Sequence, residues 1–226
     1  MVKRLLIIPA KSTSKRVKNK NVKKFYNKPI IFYSIKNALK SKLFSKVHIS
    51  TESNKIKKLV ESYGIKIDFL RPKKLCKNNT PIIEVMKYVQ KQYERAGEKY
   101  NEIWNLSACS PLISYLDLKK ASQKFKKNKI LISVARYNAP VEWAFNKNFK
   151  HFLKPINYKK LMENSQNFKD QFHDTGNFAI FSNQILKKNK LNLKNIFMGY
   201  EIPRHRAVDI DNLSDWKLAE KLYKIS

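Results

Sequence analysis

Acidic residues are scarce in this chain. Its 226 residues hold 17 Asp or Glu against 48 Lys or Arg, a formal net charge of +31. No acid stands before Glu52, whereas the first 51 residues carry 14 Lys or Arg, so that half should attract a polyanion such as a triphosphate. Glycine is rare too, four in all. That excludes the common phosphate cradle in which glycines let backbone N–H groups close on the anion, and no Walker A pattern is present. Cys76 and Cys109 lie far apart and have no partner motif; a reduced, cytoplasmic protein is expected. No stretch approaches the roughly 18 apolar residues of a membrane span, and no signal peptide is read after Met1-Val2-Lys3-Arg4. No internal repeat is seen, so one domain over 1–226 is expected.

Hydrophobic residues make up 42% of the chain, enough for a core. The seven arginines and 41 lysines are spread along its whole length. That spread reads as a lysine-coated surface rather than a face dedicated to nucleic acid. Leu5-Leu6-Ile7-Ile8 has the four consecutive apolar residues of a strand buried on both faces. It runs straight into a loop holding Lys11, Ser12, Thr13, Ser14, Lys15, Arg16, Lys18 and Lys20. A buried first strand followed by a polar basic loop is the layout of α/β proteins that hold phosphates at the carboxyl end of the sheet. Hydroxyls and ammonium groups would serve here where glycines usually do.

Strands and helices then alternate. A helix with Ile31, Ile35, Ala38 and Leu39 on one face follows Pro29, and strand 46–50 follows that. Thr51-Glu52-Ser53 caps a helix that Gly64 stops. A strand is predicted over 65–70, a helix from Pro81, a strand over 102–108, a helix over 117–126 and a strand over 130–135. The rhythm breaks between 137 and 171, which reads as an inserted loop, hairpin or subdomain with exposed aromatics. It resumes with a strand over 177–181, a short helix from Asn183, a strand over 200–202 and a final helix from Leu213. This order predicts an α/β fold, a mostly parallel sheet with helices on both faces.

Two further constellations carry chemistry. Asp209 and Asp211, one residue apart in an extended segment, point to the same side and could share one Mg²⁺; the metal reading is favoured over Asp211 as an ordinary dipole partner at a helix start. Phe172-His173-Asp174-Thr175-Gly176-Asn177-Phe178 is a polar turn before an apolar strand; it could set His173 and Asp174 in a pocket or simply join them by a structural hydrogen bond.

Together these stretches resemble the acylneuraminate cytidylyltransferase family. The shared pattern runs through Ile8-Pro9-Ala10-Lys11-Ser12-Thr13-Ser14-Lys15-Arg16, Lys20-Asn21, Lys28-Pro29 and Tyr33-Ser34-Ile35. It continues through Ser50-Thr51-Glu52, Arg71-Pro72 with Thr80-Pro81, Cys109-Ser110-Pro111-Leu112 and Val208 to Trp216. Segment 172–178 and Pro203-Arg204-His205-Arg206 are similar to the branch that uses pseudaminic acid. The resemblance implies a Rossmann-like, GT-A-like sheet, a dimerisation insertion, a homodimer, and Mg²⁺-dependent transfer of CMP from CTP to a nonulosonic acid with release of pyrophosphate. It implies a nucleotide site of Ala10, Lys11, Ser12, Ser14, Lys15, Arg16, Lys20, Asn21, Arg71 and Ser110, with Lys11, Lys15, Lys20, Asp209 and Asp211 at the chemistry and both aspartates on the metal. Gln171, His173 and Asp174 would face the sugar, and Arg204 or Arg206 its carboxylate. No general base stands out. The rivals are a cytidylyltransferase for another sugar acid (legionaminic, N-acetylneuraminic or 3-deoxy-octulosonic) and a non-catalytic anion-binding protein. The chain departs from the family pattern at Lys11 (arginine there), Ser12-Thr13 (paired glycines), Glu52 (aspartate), Lys77-Asn78-Asn79 (an acid) and Ser107 (glutamine).

Overall fold

The computed structural model describes every residue except 1, 15, 189–191, 193 and 226. The first strand, β1 (Arg4–Pro9), is fully buried over Leu5 to Ile8, as a strand covered on both faces must be. A two-residue ribbon, β2 (Lys24–Phe25) and β3 (Lys28–Pro29), closes the basic loop and leads into α1 (Ile30–Ser41). Then come β4 (Lys46–Ser50), α2 (Asn54–Glu61), α3 (Ile82–Arg95), β5 (Glu102–Leu106), α4 (Tyr115–Lys124) and β6 (Ile130–Arg136). The region after β6 holds a small hairpin of β7 (Phe145–Lys147) and β8 (Leu153–Pro155). The chain ends with β9 (Phe172–Ser182), α5 (Asn183–Lys187), β10 (Phe197–Glu201) and α6 (Leu213–Lys224).

Six strands form one sheet in the order β10-β6-β9-β5-β1-β4. β9 runs antiparallel to both neighbours, and the other pairs are parallel. α1, α2 and α4 pack their apolar residues on one face, with Leu6, Ile8, Trp104 and Leu131 beneath them. α3 and α5 cover the other, over Leu5, Ile7 and Ile103. A third cluster lies off the sheet, where α6 packs on the basic loop and the start of α1 through Val17, Phe25, Ile30, Cys109, Ile210, Trp216 and Ala219.

Several expectations are corrected. Segment 65–70 is not a strand, and β4 stays the sheet edge. Ile65 and Ile67 are buried, but the segment is held by side chains instead of a ladder: the Asp68 carboxylate takes Lys46 Nζ at 2.6 Å and the Tyr93 hydroxyl at 2.7 Å. β5 ends at Leu106, two residues early. α4 begins at Tyr115, because Ser114 and Asp117 form a capping box ahead of the expected start. β10 lies over Phe197–Glu201 rather than 200–202. The polar run 172–176 is no turn before a strand. It is the first half of β9, where Gly176 at φ +66° and a slip in register between Ile132 and Val134 bend the ladder without ending it.

On β4, His48 is fully buried, stacked on Phe69. The Tyr93 hydroxyl donates to Asp68 and therefore accepts from His48 Nδ1–H at 3.0 Å, leaving Nε2 bare and without a partner. Burial, with Lys46 and Arg71 adding to it, pushes the imidazole down to about 4, although Asp68 pulls the other way. Between that value and the unfolded value near 6.5, the unfolded chain binds the extra proton. His48 thus contributes stability that is complete above about pH 6.5 and falls by about 3 kcal/mol as the pH drops toward 4. Urea unfolding at pH 7 and pH 4.5 should show this loss, and a His48→Gln variant should lack that part of the slope. An unchanged slope in the variant would remove His48 from the account.

Candidate active site

A cleft of about 250 Å³ opens at the carboxyl ends of β1 and β5. Pro9, Lys11, Ser14, Lys20 and Asn21 line one side; Arg71, Asn78 and Thr80 line the other; Ser107, Ala108 and Cys109 form its floor. The loop is held open by its own bonds. Asn21 Nδ2 donates to Lys11 O at 2.8 Å, and Asn21 Oδ1 accepts from the Cys109 thiol at 3.4 Å. Lys11 Nζ reaches across to Asn78 Oδ1 at 2.7 Å. Lys20 Nζ donates to Ile210 O at 2.6 Å.

Arg71 is 5% exposed, yet its Nε and Nη2 have no hydrogen-bond partner. Its ion partner, Glu52 Oε2, stands 3.6 Å away. A buried guanidinium in this state is costly unless an anion completes it. Glu52 Oε1 accepts both the Ser12 N–H at 2.8 Å and the Ser12 hydroxyl at 2.6 Å. Burial works against the ionised form of Glu52, but the two Ser12 bonds, a backbone bond at Glu52 and the charge of Arg71 together outweigh it, and the carboxyl lies below its ordinary range.

The acid pair reaches this cleft through Ile210. That side chain is 1% exposed in the α6 cluster, a burial worth about 2 kcal/mol. It pins the strand-like segment so that Asp209 and Asp211 flank it. Asp211 pairs with Arg16 and stands 3.8 Å from Lys20 Nζ. Its N–H is taken by Asp215 Oδ2 at 2.8 Å, so Asp215 caps α6 and leaves the Asp211 carboxylate to the cations. Among the described residues Asp209 makes no hydrogen bond and no ion pair. Partial burial and then the like charge of Asp211 raise its carboxyl above the ordinary range. Two adjacent carboxylates, one unpartnered and repelled by the other, fit a divalent cation. No third His, Cys, Asp or Glu joins them among the described residues. Water and ligand phosphate would complete the shell, which suits Mg²⁺.

A second cavity of about 510 Å³ shares Pro9, Ile82 and Ser107 with the first and continues along β9 past Asp174, Gly176 and Phe178. Asp174 Oδ1 accepts the Gly176 N–H at 2.8 Å. A Cβ at Gly176 would lie 4.0 Å from Asp209 Oδ2, which places the β9 kink beside the acid pair. His173 packs on Tyr137, its ring 5.0 Å away, and its Nδ1 meets Asp174 O at 3.1 Å. Gln171, at the base of the insertion, donates to Glu142 Oε1 at 2.9 Å. Arg204 bonds to Asn138 Oδ1.

Of the residues expected at the sugar, only Asp174 lines either cavity; Gln171, His173 and Arg204 line neither. Four more expected site residues stand apart. Lys15 lies outside the described residues. Ala10 is buried with its N–H on Ser50 O, and Ser110 is buried with an unpartnered hydroxyl; neither lines the cleft. Arg206 is not free for a substrate carboxylate, because both arms of its guanidinium hold Asp117, at 2.7 and 3.1 Å. In the other direction, Asn78, Thr80, Ser107 and Glu52 belong to the cleft or its support without having been expected. Three of these four sit where the chain departs from the family pattern, and the departures meet in pairs: Lys11 with Asn78, Ser12 with Glu52.

Comparison with known proteins bears on the family and the fold. The chain is 30% identical over 227 residues to the pseudaminic acid cytidylyltransferase of Campylobacter jejuni, covering 100% of this chain and 98% of that protein. It is 30% identical over 225 residues to the N-acylneuraminate cytidylyltransferase of Escherichia coli, covering 95% of this chain and 51% of that protein. A solved structure of CMP:2-keto-3-deoxy-manno-octonic acid synthetase complexed with CTP has the same fold, with a TM-score of 0.73 at 14% identity over 99% of each chain. The family model for cytidylyltransferases matches residues 5–222, and the chain belongs to that family.

Proposed function

We propose that this chain transfers CMP from CTP to a nonulosonic acid, with pseudaminic acid as the first choice of sugar. The observation that carries the reading is the cleft itself: a nearly buried, unsatisfied Arg71 faces the basic loop, and an acid pair stands beside them. In the reaction the sugar's anomeric oxygen forms a bond to the α-phosphorus as the bond to the bridging oxygen breaks, and pyrophosphate leaves with that electron pair. The hydroxyl proton passes to solvent. Lys11, Ser14, Lys20 and Arg71 hold the triphosphate, and Arg16 steadies Asp211. A Mg²⁺ on Asp209 and Asp211 would supply charge neutralisation at the phosphates when bound. Asp174, in the adjoining cavity, faces the sugar. CTP is a cytoplasmic nucleotide, and the cytoplasm is where we place the protein. Phe149 and Met162 of the insertion are each 89% exposed, which supports a homodimer through that face; light scattering should give twice the 26.7 kDa chain mass.

The test is product formation from CTP with pseudaminic, legionaminic and N-acetylneuraminic acids, with and without Mg²⁺. Pseudaminic acid should give the highest kcat/KM, and chelation should abolish turnover. A folded protein that yields no CMP-sugar from any of the three would refute the enzymatic reading.

A further inference from the structure

Glu52 does not line the cleft, yet it bonds Ser12, next to the lining residue Lys11, and faces Arg71, which lines the cleft. We propose that Glu52 is a positioning residue for the nucleotide, fixing Ser12 of the basic loop and Arg71 of the opposite wall in one relation. The inference rests on the CTP reading above and adds to it a group that never meets the ligand. Glu52 stands two residues past the end of β4, 40 positions from Ser12. Both donors of Ser12 converge on one of its oxygens, at 2.8 and 2.6 Å. That pair of hydrogen bonds fixes the loop's backbone between Lys11 and Ser14, two residues that line the cleft. The other oxygen faces Arg71 Nη2 at 3.6 Å, beyond hydrogen-bond length. It orients the guanidinium by charge and leaves its donors unspent. The Cys76 thiol, a weak partner, lies beside both groups. Arg71 is anchored from the same strand end, since its N–H donates to Thr51 O at 2.8 Å. The result is a guanidinium held in place and incomplete, and phosphate oxygens are the acceptors that suit its fork.

Side-chain length decides whether this works. Aspartate at position 52 would be shorter by one carbon–carbon bond, about 1.5 Å, and could not keep Ser12 and Arg71 together. Alanine at position 12 would lose the shorter of the two bonds. Both changes break the same tie, so they should not add.

CTP binding measured by calorimetry without sugar tests this in wild type, Glu52→Asp, Ser12→Ala and the double variant. Glu52→Asp should weaken CTP about tenfold and Ser12→Ala about threefold, with the double variant within about twofold of Glu52→Asp alone. In turnover, KM for CTP should rise about tenfold in Glu52→Asp while kcat stays within about threefold. If wild type binds CTP and Glu52→Asp binds it equally, or if the two losses multiply, the positioning role is wrong. A lowered melting temperature with unchanged CTP binding would make Glu52 a stabiliser of the fold only. If wild type itself does not bind CTP, the nucleotide reading fails first. Should Glu52→Asp not fold, unchanged CTP affinity in Ser12→Ala would be enough to overturn the role.

Discussion

Asp209→Ala should lower kcat for CMP-sugar formation by about 10²- to 10³-fold while leaving the protein no less stable than wild type. The two halves of this result come from one feature. In the free protein Asp209 has no hydrogen bond or ion pair among the described residues, and partial burial and Asp211 hold its carboxyl above the ordinary range. A carboxyl raised in the folded state costs stability once the pH exceeds its unfolded value, because the unfolded chain ionises it more easily. Removing it at pH 7 relieves that cost. The charge is kept for what arrives later. Phosphoryl transfer leaves little covalent work to the protein, and charge placed at the phosphates carries most of the effect. Loss of one such group costs two to three orders of magnitude in rate. Asp209→Asn separates the causes, since it keeps the shape and discards the charge. It should fall almost as far as alanine, and excess Mg²⁺ should restore little. Near-normal turnover in Asp209→Asn would remove the metal assignment; a large drop in melting temperature in both variants would make Asp209 structural.

Much of the sheet was legible because its signals are local. The apolar run of β1, Pro29 ahead of α1, Ser53 capping α2 and Gly64 after it each act within a few residues. What escaped depends on partners distant in sequence. Ile65 and Ile67 alternate like a strand, but whether they pair with β4 is decided by Asp68 finding Lys46 and Tyr93. β9 carries Asp174 and Gly176 inside a strand because a bend is wanted beside Asp209, and a polar Gly-containing run reads as a turn when that neighbour is unknown. The candidate site divides in the same way. Residue types picked out the basic loop and the acid pair. They could not show that Ile210 is the anchor that brings the two together, nor that Glu52, 40 positions on, is what the loop is tied to.

Arg206 is the sharpest such case, and it gives the largest expected change in stability. The family resemblance implied that it, or Arg204, would meet a sugar carboxylate. In the fold it meets Asp117, 89 positions away, through two parallel bonds. Asp117 is 4% exposed and also accepts the Ser114 hydroxyl at 2.7 Å and the Tyr200 hydroxyl at 3.1 Å. It therefore joins the start of α4, the end strand β10 and the segment that leads to the acid pair. Burial alone would raise its carboxyl; Arg206 first, then Ser114, hold it below the ordinary range instead. Arg206→Ala leaves that carboxylate buried and without a counter-charge, a change that costs about 3–5 kcal/mol. Against a total of about 5–15 kcal/mol this is a large share, and the melting temperature should fall by about 10 °C. Adding Asp117→Asn should recover part of the loss, because an amide at 117 can still serve Ser114 and Tyr200 and no longer needs the arginine. The contribution is present above the unfolded carboxylate pKa and is lost as the pH falls through the lowered folded value, so the gap between wild type and Arg206→Ala should close in acid. A variant that melts normally but shows a raised KM for the sugar would return Arg206 to the substrate and leave Arg204, bonded to Asn138, without a distinct part to play.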